Sequence, residues 1–561
     1  MLSRRELLQV AAATAAIIPN GWTRALAQQR LTQAELLAFE PLGNVTLLHV
    51  TDVHGQLKPV HFREPSTNIG VGDAKGRPPH VTGKDYLTRF GIAERSASAY
   101  ALTPDDFTAL AQSYGRIGGL DRLATAVKAA RAQRGDDKVL LLDGGDTWQG
   151  SLGANRTRGQ DMADCFKLLK PDAMTGHWEF TYGTDRVKEL ADSLGFPFLA
   201  LNVRDTEWQE PVFAPYKMFE KGGVKIAVLG QAFPYTPVAN PRWMIPTWSF
   251  GIREEDVRAN VERVRREGAQ LVVLLSHNGF DVDRKLAGRI AGIDVILTGH
   301  THDALPEVVN VGKTLLVASG SHGKFLSRLD LDVQRGDVKG FRYKLIPLFA
   351  DAIAPEPEMT AAIAKARAPF AAELAREVGR TESLLYRRGN FAGTFDDLIC
   401  DALITERDAE IALSPGFRWG TSVLPGAAIT VEDIHNATAI TYPNVYRMSM
   451  TGERLKEILE DVADNLFNPD PYYQQGGDMV RCGGLGYTID IGKPMGSRIS
   501  ALTHLKSGKP IDAAREYTVA GWASVNEGTE GPPVWELVEK YVAGKKSVKV
   551  EAGAGVKVLG N

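Results

Sequence analysis

The sequence predicts a layered α/β protein, a βαβ sandwich domain followed by a smaller C-terminal α/β domain. Three observations predict it. From residue 119 to residue 333, short apolar runs alternate with amphipathic stretches on the scale of strand–helix units. Aspartate and histidine repeatedly follow those runs, at the carboxyl ends of strands, where open α/β sheets gather ligands. Near residue 355 the pattern changes to one Ala/Glu/Arg-rich helix, after which short strands and helices resume.

Val45–Val50 is the first strand. Residues 58–115 are irregular and rich in Gly, Pro, Thr and charge. A loop of that length usually has a function, and it is expected to shape the mouth of a site. Helical periodicity marks Gly119–Arg134, Asp161–Leu169, Asp185–Ser193, Arg253–Arg266 and Asp283–Ala291. Strands are expected at Lys138–Leu142, Asp172–Thr175, Phe198–Leu201, Val224–Leu229, Leu271–Leu275 and Asp294–Leu297. Leu315–Ala318 and Phe325–Val333 read as edge strands that end the first domain, residues 28–350. Pro355 and Pro357 stop what precedes them, and Met359–Glu377 reads as a single bridging helix within a linker, residues 351–379. The second domain, residues 380–561, shows helices near Phe395–Thr405 and Gly452–Asn465. Its strands are expected near Ile411–Leu413, Gly486–Asp490 and Tyr517–Ala520.

At 561 residues the chain exceeds one core. Its 44% hydrophobic and 24% charged residues are ordinary for a globular protein. A net charge of −3 supplies no field to attract nucleic acid or an anionic membrane. Any anion must therefore be met by local arginines. Ser3-Arg4-Arg5, an Ala-rich apolar stretch to Ile18 and the small-x-small Ala25-Leu26-Ala27 predict a twin-arginine signal peptide over residues 1–27, cleaved near Ala27. Its apolar stretch of about 12 residues is too short for a stable membrane anchor, which needs roughly 20. The mature chain is expected in the periplasm, as a monomer. Cys165, Cys400 and Cys482 lie far apart without C-x-x-C pairing. The first two read as buried thiols; Cys482 is the one candidate for access, and no neighbouring His or Lys activates it.

Four blocks carry the chemistry: Asp52-Val-His54, Asp143-Gly-Gly-Asp146, Ser276-His277-Asn278 and Gly299-His300-Thr-His302. Hard oxygen and imidazole donors delivered from several strand ends make a cage for divalent metal ions. In extended backbone, the i, i+2 spacing of Asp52/His54 and of His300/His302 sends both side chains to one face. The chain reads as a two-metal hydrolase.

With Gly118-Gly-Leu-Asp-Arg122 and Gly176-His-Trp-Glu179 added, the ordered series resembles the calcineurin-like metallophosphoesterases and, with the second domain, the 5'-nucleotidase family. The resemblance covers nearly all the mature chain. It implies a metallophosphoesterase sandwich and a 5'-nucleotidase-type C-terminal domain that binds substrate. It also implies that Asp52, His54 and His302 hold one metal, His277 and His300 a second, and that Asp146 bridges both. Two such ions activate a water at neutral pH. The donor mix suits Mn2+, with Zn2+ or Fe2+ also compatible.

One block departs from the family pattern of Gly-Asn-His-Glu, in which Asn binds metal and His protonates the leaving alkoxide. Here His177 takes the place of Asn as a ligand, and Trp178 transfers no proton. An ester hydrolase without its acid loses about 100- to 10,000-fold in rate. A sulfur anion, whose thiol has a pKa of about 8.5, departs unaided. Together with Asp52–Pro59 and Ser113–Gly119, the substitution is similar to the dimanganese thiosulfohydrolases of bacterial sulfur oxidation (the Sox system). That resemblance implies a cysteine S-thiosulfonate on the C-terminal tail of the SoxYZ carrier as substrate, and sulfate as product. A periplasmic 5'-nucleotidase or cyclic-nucleotide phosphodiesterase is the alternative, and a non-catalytic carrier-binding module a third reading.

An arginine fork suits the outer oxygens of a sulfonate. Arg116, in a loop, is expected to supply it, and Arg122, in a helix, is either a second contact or a structural ion-pair partner. Asp143 is expected to orient a ligand, while Asn202 and His322 remain open between that role and a structural one. Arg418 falls where nucleotidases carry a substrate arginine. Tyr472 and Arg481 fall near their nucleobase loop, without the paired phenylalanines of an adenine sandwich. A Gly-rich aromatic groove there suits an extended peptide tail.

Overall fold

The computed structural model describes residues 31–551, 553 and 555–560, so the expected signal peptide lies outside the described residues. Among them, no helix is long and apolar enough to cross a membrane.

Two sheets face each other in the first domain. The five-stranded sheet runs, edge to edge, Asp337–Pro347, Phe325–Gln334, Val45–Val50, Val139–Asp143 and Ala173–Met174. The six-stranded sheet runs Val309–Val311, Thr314–Ala318, Val295–Thr298, Leu271–Ser276, Val224–Gln231 and Tyr216–Lys221. Leu47, Leu140 and Leu142 from one sheet meet Val273, Leu275 and Leu297 from the other in a shared apolar core. Helices cover the outer faces: Leu120–Arg134 and Gln160–Leu169 on one sheet, Glu254–Arg266 and Phe280–Arg289 on the other. Covered on both faces, Val45–Val50 and Leu271–Ser276 are buried at every residue, which explains their mostly apolar sequence; the polar exceptions, Thr46, His49 and Ser276, are hydrogen-bonded to Asp330, Ser319 and Asp283. The central strands of each sheet are parallel, so their carboxyl ends share one rim.

Several sequence expectations are corrected. Neither Leu315–Ala318 nor Phe325–Val333 is an edge: Val309–Val311 and the eleven-residue strand Asp337–Pro347 pair outside them. Asp337–Pro347 alternates exposed and half-buried residues over much of its length, a weak apolar signal that hid it. Residues 58–115 are not structureless; they contain the short helices Gly83–Arg89, Ala97–Leu102 and Phe107–Tyr114. The single linker helix is three pieces, Pro357–Arg367, Ala368–Phe370 and Ala371–Leu374, with Pro369 at the break. Phe198–Leu201 forms only isolated bridges.

The remainder of the chain packs the helices Thr394–Arg407, Val431–Thr438, Gly452–Phe467 and Val534–Lys545 against two four-stranded sheets and one three-stranded sheet. Its apolar clusters are largely its own, but first-domain residues join them at the seam: Trp178 and Met244 in one, Ile69 and Val71 against another, and Leu152 in a small cluster with Val431.

Candidate metal centre

Each parallel strand ends in a turn that delivers a polar side chain to the rim. Asp52 and His54 follow Val45–Val50, Asp146 follows Val139–Asp143, and His177 follows Ala173–Met174. From the facing sheet come His277, His300 and His302. The structure brings all seven together. Donor atoms of Asp52, His54, Asp146 and His302 lie within 4.8 Å of one another, as do those of Asp146, His177, His277 and His300. Asp146 belongs to both groups. Its Oδ2 lies 3.1 Å from His277 Nε2, 3.3 Å from His177 Nδ1 and 3.6 Å from His54 Nε2. Asp52 Oδ1 lies 3.2 Å from His302 Nε2.

The backbone is strained to achieve this. Asp52, His54, Asp146, His300 and His302 all have φ between +50° and +77°, a left-handed region that costs about 1–3 kcal/mol for a residue with a Cβ. Gly299 sits among them because a Cβ there would meet Thr51 Oγ1 at 2.5 Å and His277 Nδ1 at 2.9 Å.

Hydrogen bonds fix which nitrogen faces inward. His277 Nδ1 donates to Gly144 O at 2.6 Å, so Nε2 is the atom that faces Asp146, at 3.1 Å, and would offer its lone pair once a metal displaces the proton there. His300 Nε2 donates to Gln475 O at 3.0 Å, leaving Nδ1 as its ligand atom. Gln475 belongs to the second domain, and the next residue must be glycine: a Cβ on Gly476 would lie 2.5 Å from His300 Nε2. Glu179, fully buried, takes N–H groups from Thr147 (2.6 Å), Trp148 (3.1 Å), His177 (2.8 Å) and Asp146 (3.2 Å). It thereby ties the Asp146 loop to the His177 loop. Asp143 accepts from Thr147 Oγ1 and Gly145 N, and burial together with Glu179 pushes its pKa up to about 8. It binds the loop and joins neither cluster.

The residues fit a pair of divalent cations. His54 Nε2 and His302 Nε2 face each other at 3.0 Å, while His54 Nδ1, His302 Nδ1 and His177 Nε2 are buried without a hydrogen-bond partner. Burial lowers the His277 pKa, but Asp146 and Asp52 outweigh it and push it up to about 10. Two buried carboxylates thus demand positive charge, which a proton on His277 supplies only in part.

The remaining sequence candidates distribute unevenly. Arg418 reaches across from the second domain and donates to Thr301 O, between the two ligand histidines, at 3.2 Å. Arg116 is exposed and lines a separate cleft with Lys58, His61 and Asn436. Arg122 pairs with Asp121 at 2.6 Å and donates to Ala350 O at 3.5 Å, with its Nε unpartnered. Arg481 is buried between Asp396 (3.2 Å) and Asp478 (3.3 Å), a clamp internal to the second domain. Tyr472 donates to Glu254 at 2.8 Å on the first domain's surface helix. Asn202 holds Ala232 and Gly251 by backbone bonds and is structural. Burial pushes the Cys482 thiol up to about 12, which leaves it unreactive.

Sequence reasoning missed Arg388. It is 2% exposed and donates to the same Thr301 O at 2.9 Å, while its Nε and Nη1 have no hydrogen-bond partner. Nη1 lies 3.7 Å from Asp478 Oδ1, an ion pair shared with Arg418, and the unpartnered Nε lines the same cleft as His302. His322, left open from sequence, is wholly buried with φ +58°. Its ring lies 5.7 Å from His54 and 5.8 Å from His302, with Nε2 unpartnered. Trp178 stands beside His177 and packs edge-on against Phe417 and Trp419, which stack on each other at 4.0 Å.

The sulfate thiohydrolase SoxB of Thermus thermophilus, solved with glycerol, superposes with a TM-score of 0.90 at 36% identity, over 93% of this chain and 98% of that one. The chain belongs to the SoxB family. Within that family's wider superfamily, residues 371–537 match the 5'-nucleotidase C-terminal domain. The 5'-nucleotidase of Bos taurus is 24% identical over 78% of this chain and 82% of its own length. A 5'-nucleotidase precursor, also from Thermus thermophilus, shares the fold, with a TM-score of 0.73 at 22% identity over 92% of this chain and all of its own. Like its SoxB relative, the chain is a metal-dependent hydrolase of mixed α/β architecture.

Proposed function

We propose that the chain is a thiosulfohydrolase that cleaves the terminal sulfonate from a cysteine S-thiosulfonate carried on a SoxYZ-type protein. The observation that carries this reading is Trp178. At the position next to the metal ligand His177, where the nucleotidase family keeps a proton donor, an indole is locked into an aromatic wall with Phe417 and Trp419. Its backbone N–H is spent on Asp146 Oδ1 at 2.7 Å. Only a leaving group that departs as an anion suits such a site. The SoxB likeness at 36% identity points the same way.

When bound, two divalent ions, on this reading Mn2+, lower the pKa of a water and neutralise the sulfonate. The chain's own groups do the rest. Arg388 and Arg418 approach from the second domain with positive charge for the outer sulfonate oxygens. The aromatic wall excludes bulk water on the departing-sulfur side and offers a polarisable surface to it. An S–O bond forms, the S–S bond breaks, and its electron pair leaves on the persulfide sulfur that stays with the carrier. The Phe417–Trp419 rings lie against each other with no gap for a base, which counts against nucleotide hydrolysis. On the same reading the protein is exported by the twin-arginine pathway and works in the periplasm.

The test offers manganese-loaded protein either a carrier-bound S-thiosulfonate or 5'-AMP and quantifies sulfate and phosphate. Sulfate alone is expected. Phosphate alone would establish the nucleotidase, and neither product a carrier-binding module.

A further inference from the structure

A second cavity, of about 410 Å³, opens on the seam between the two domains. No metal ligand lines it. Its first-domain walls are the helices Leu152–Thr157 and Trp178–Tyr182, and His435, Thr441 and Trp535 close it from the second domain. The volume is that of an organic ligand site, well above what a lone inorganic ion fills.

The lining is selective in charge. Among the described residues, Arg156 and Arg158 are the only charged groups that line it and no carboxylate does; Glu373, the partner of Arg156 at 3.2 Å, lies outside, and Arg158 Nη2 donates to Tyr182 O at 2.9 Å. Two buried polar atoms in the walls lack partners. His435 is 4% exposed with Nδ1 unsatisfied, its ring held 4.9 Å from Trp535. Burial and the charges of Arg156 and Arg376 hold its pKa down to about 4, so the ring is neutral. Asn155 gives its Nδ2 to Ile440 O at 3.0 Å and keeps a buried Oδ1 with nothing to accept from. An unsatisfied acceptor beside two guanidinium groups calls for a ligand with both a negative charge and a hydrogen-bond donor.

We propose that this cavity binds a small organic carboxylate bearing a hydroxyl group. Arg156 and Arg158 hold the carboxylate, the hydroxyl donates to Asn155 Oδ1, and the carbon skeleton lies against Trp535 and Ile440. Both first-domain walls connect directly to metal-ligand loops. Leu152–Thr157 follows the Asp146 loop, and Trp178–Tyr182 is capped by His177 itself. Tyr182 ties the walls together by donating to Trp148 O and Ala154 O at 2.9 and 3.0 Å. A ligand that fixes these walls stabilises the arrangement that holds the ions, so the cavity is an effector site coupled to metal retention.

Titration calorimetry of the manganese-loaded full chain with L-malate, succinate and orthophosphate tests this. Saturable L-malate binding is expected, with succinate, which lacks the hydroxyl, and orthophosphate both weaker. The double variant R156A/R158A, altered only at exposed side chains, should weaken malate binding about tenfold or more. Saturating malate should also slow manganese loss to a chelator in the wild type and leave the double variant unaffected. No malate binding, or binding unchanged in R156A/R158A (which would put malate on the metals), overturns the site. Equal affinity for succinate overturns the hydroxyl assignment, and unchanged manganese loss overturns the coupling.

Discussion

Replacing Glu179 with glutamine removes one charge and no volume, and the structure sets the size of the effect. Oε1 accepts from Thr147 and Trp148, Oε2 from His177 and Asp146. A glutamine amide keeps one oxygen, so one pair of N–H groups loses its acceptor and faces amide hydrogens instead. Two hydrogen bonds to a charged group, at about 1.5–3 kcal/mol each, give a cost of about 3–6 kcal/mol. Burial and the charge of Asp146 push the Glu179 pKa up, so losing its charge relieves repulsion in the metal-free protein. That relief vanishes once cations neutralise Asp146. The metal-free chain should therefore lose the lower figure, about 3 kcal/mol, and the metal-loaded chain more. Glu179→Gln should unfold at lower urea than wild type and lose manganese on gel filtration. A variant that unfolds at the wild-type midpoint and retains two ions would refute the role given to Glu179.

Other outcomes follow from the same geometry. With His277 raised to about 10, its proton stabilises the metal-free chain fully below its ordinary value of about 6.5 and is lost as pH rises through about 10. Metal loading displaces that proton, so manganese affinity should tighten with pH; calorimetry in buffers of differing ionisation enthalpy should detect about one proton released at neutral pH. Trp178→His should not raise sulfate release, because the persulfide needs no acid; a faster variant would show that departure is acid-limited. Arg481→Ala removes the cation shared by Asp396 and Asp478 in the second domain, but Asp396 keeps Arg387 at 2.7 Å and Asp478 keeps Arg418 at 3.4 Å, so the cost should fall below the roughly 3–5 kcal/mol of a fully stranded buried charge. Scanning calorimetry should show that domain melting earlier while the manganese content stays at two ions.

The candidate metal-ligating residues were legible because each follows a mostly apolar strand, and a strand's end places the next residues on the rim. Every one lies within a few residues of such a run, from Asp52 to His302. The arginines were not legible for the opposite reason. Arg116 and Arg122 lie close to the metal-ligand blocks in sequence, yet backbone direction turns one to solvent and the other to Asp121. Arg388 is distant in sequence from every ligand and reaches Thr301 only because the domains pack together. Sequence periodicity reports burial within an element, and it is silent on which side chains of separate domains converge. The fold's missed parts follow the same rule: Asp337–Pro347 is half exposed and leaves little apolar pattern to read.

The second domain helps to hold the candidate metal centre. Gln475 O fixes the tautomer of His300, and Gly476 has no side chain so that it can approach. Arg388 and Arg418 both hold Thr301 O, the carbonyl between His300 and His302, each of which has positive φ. A strained segment that carries ligands for both clusters is thus held from outside its own domain. Separating the domains would free Thr301 O, release the His300 Nε2 proton from its acceptor and allow the ring to rotate. These contacts predict that metal affinity and domain closure are linked: a substitution that loosens the seam at Arg388 or Arg418 should speed manganese loss to a chelator, and unchanged loss would refute the link.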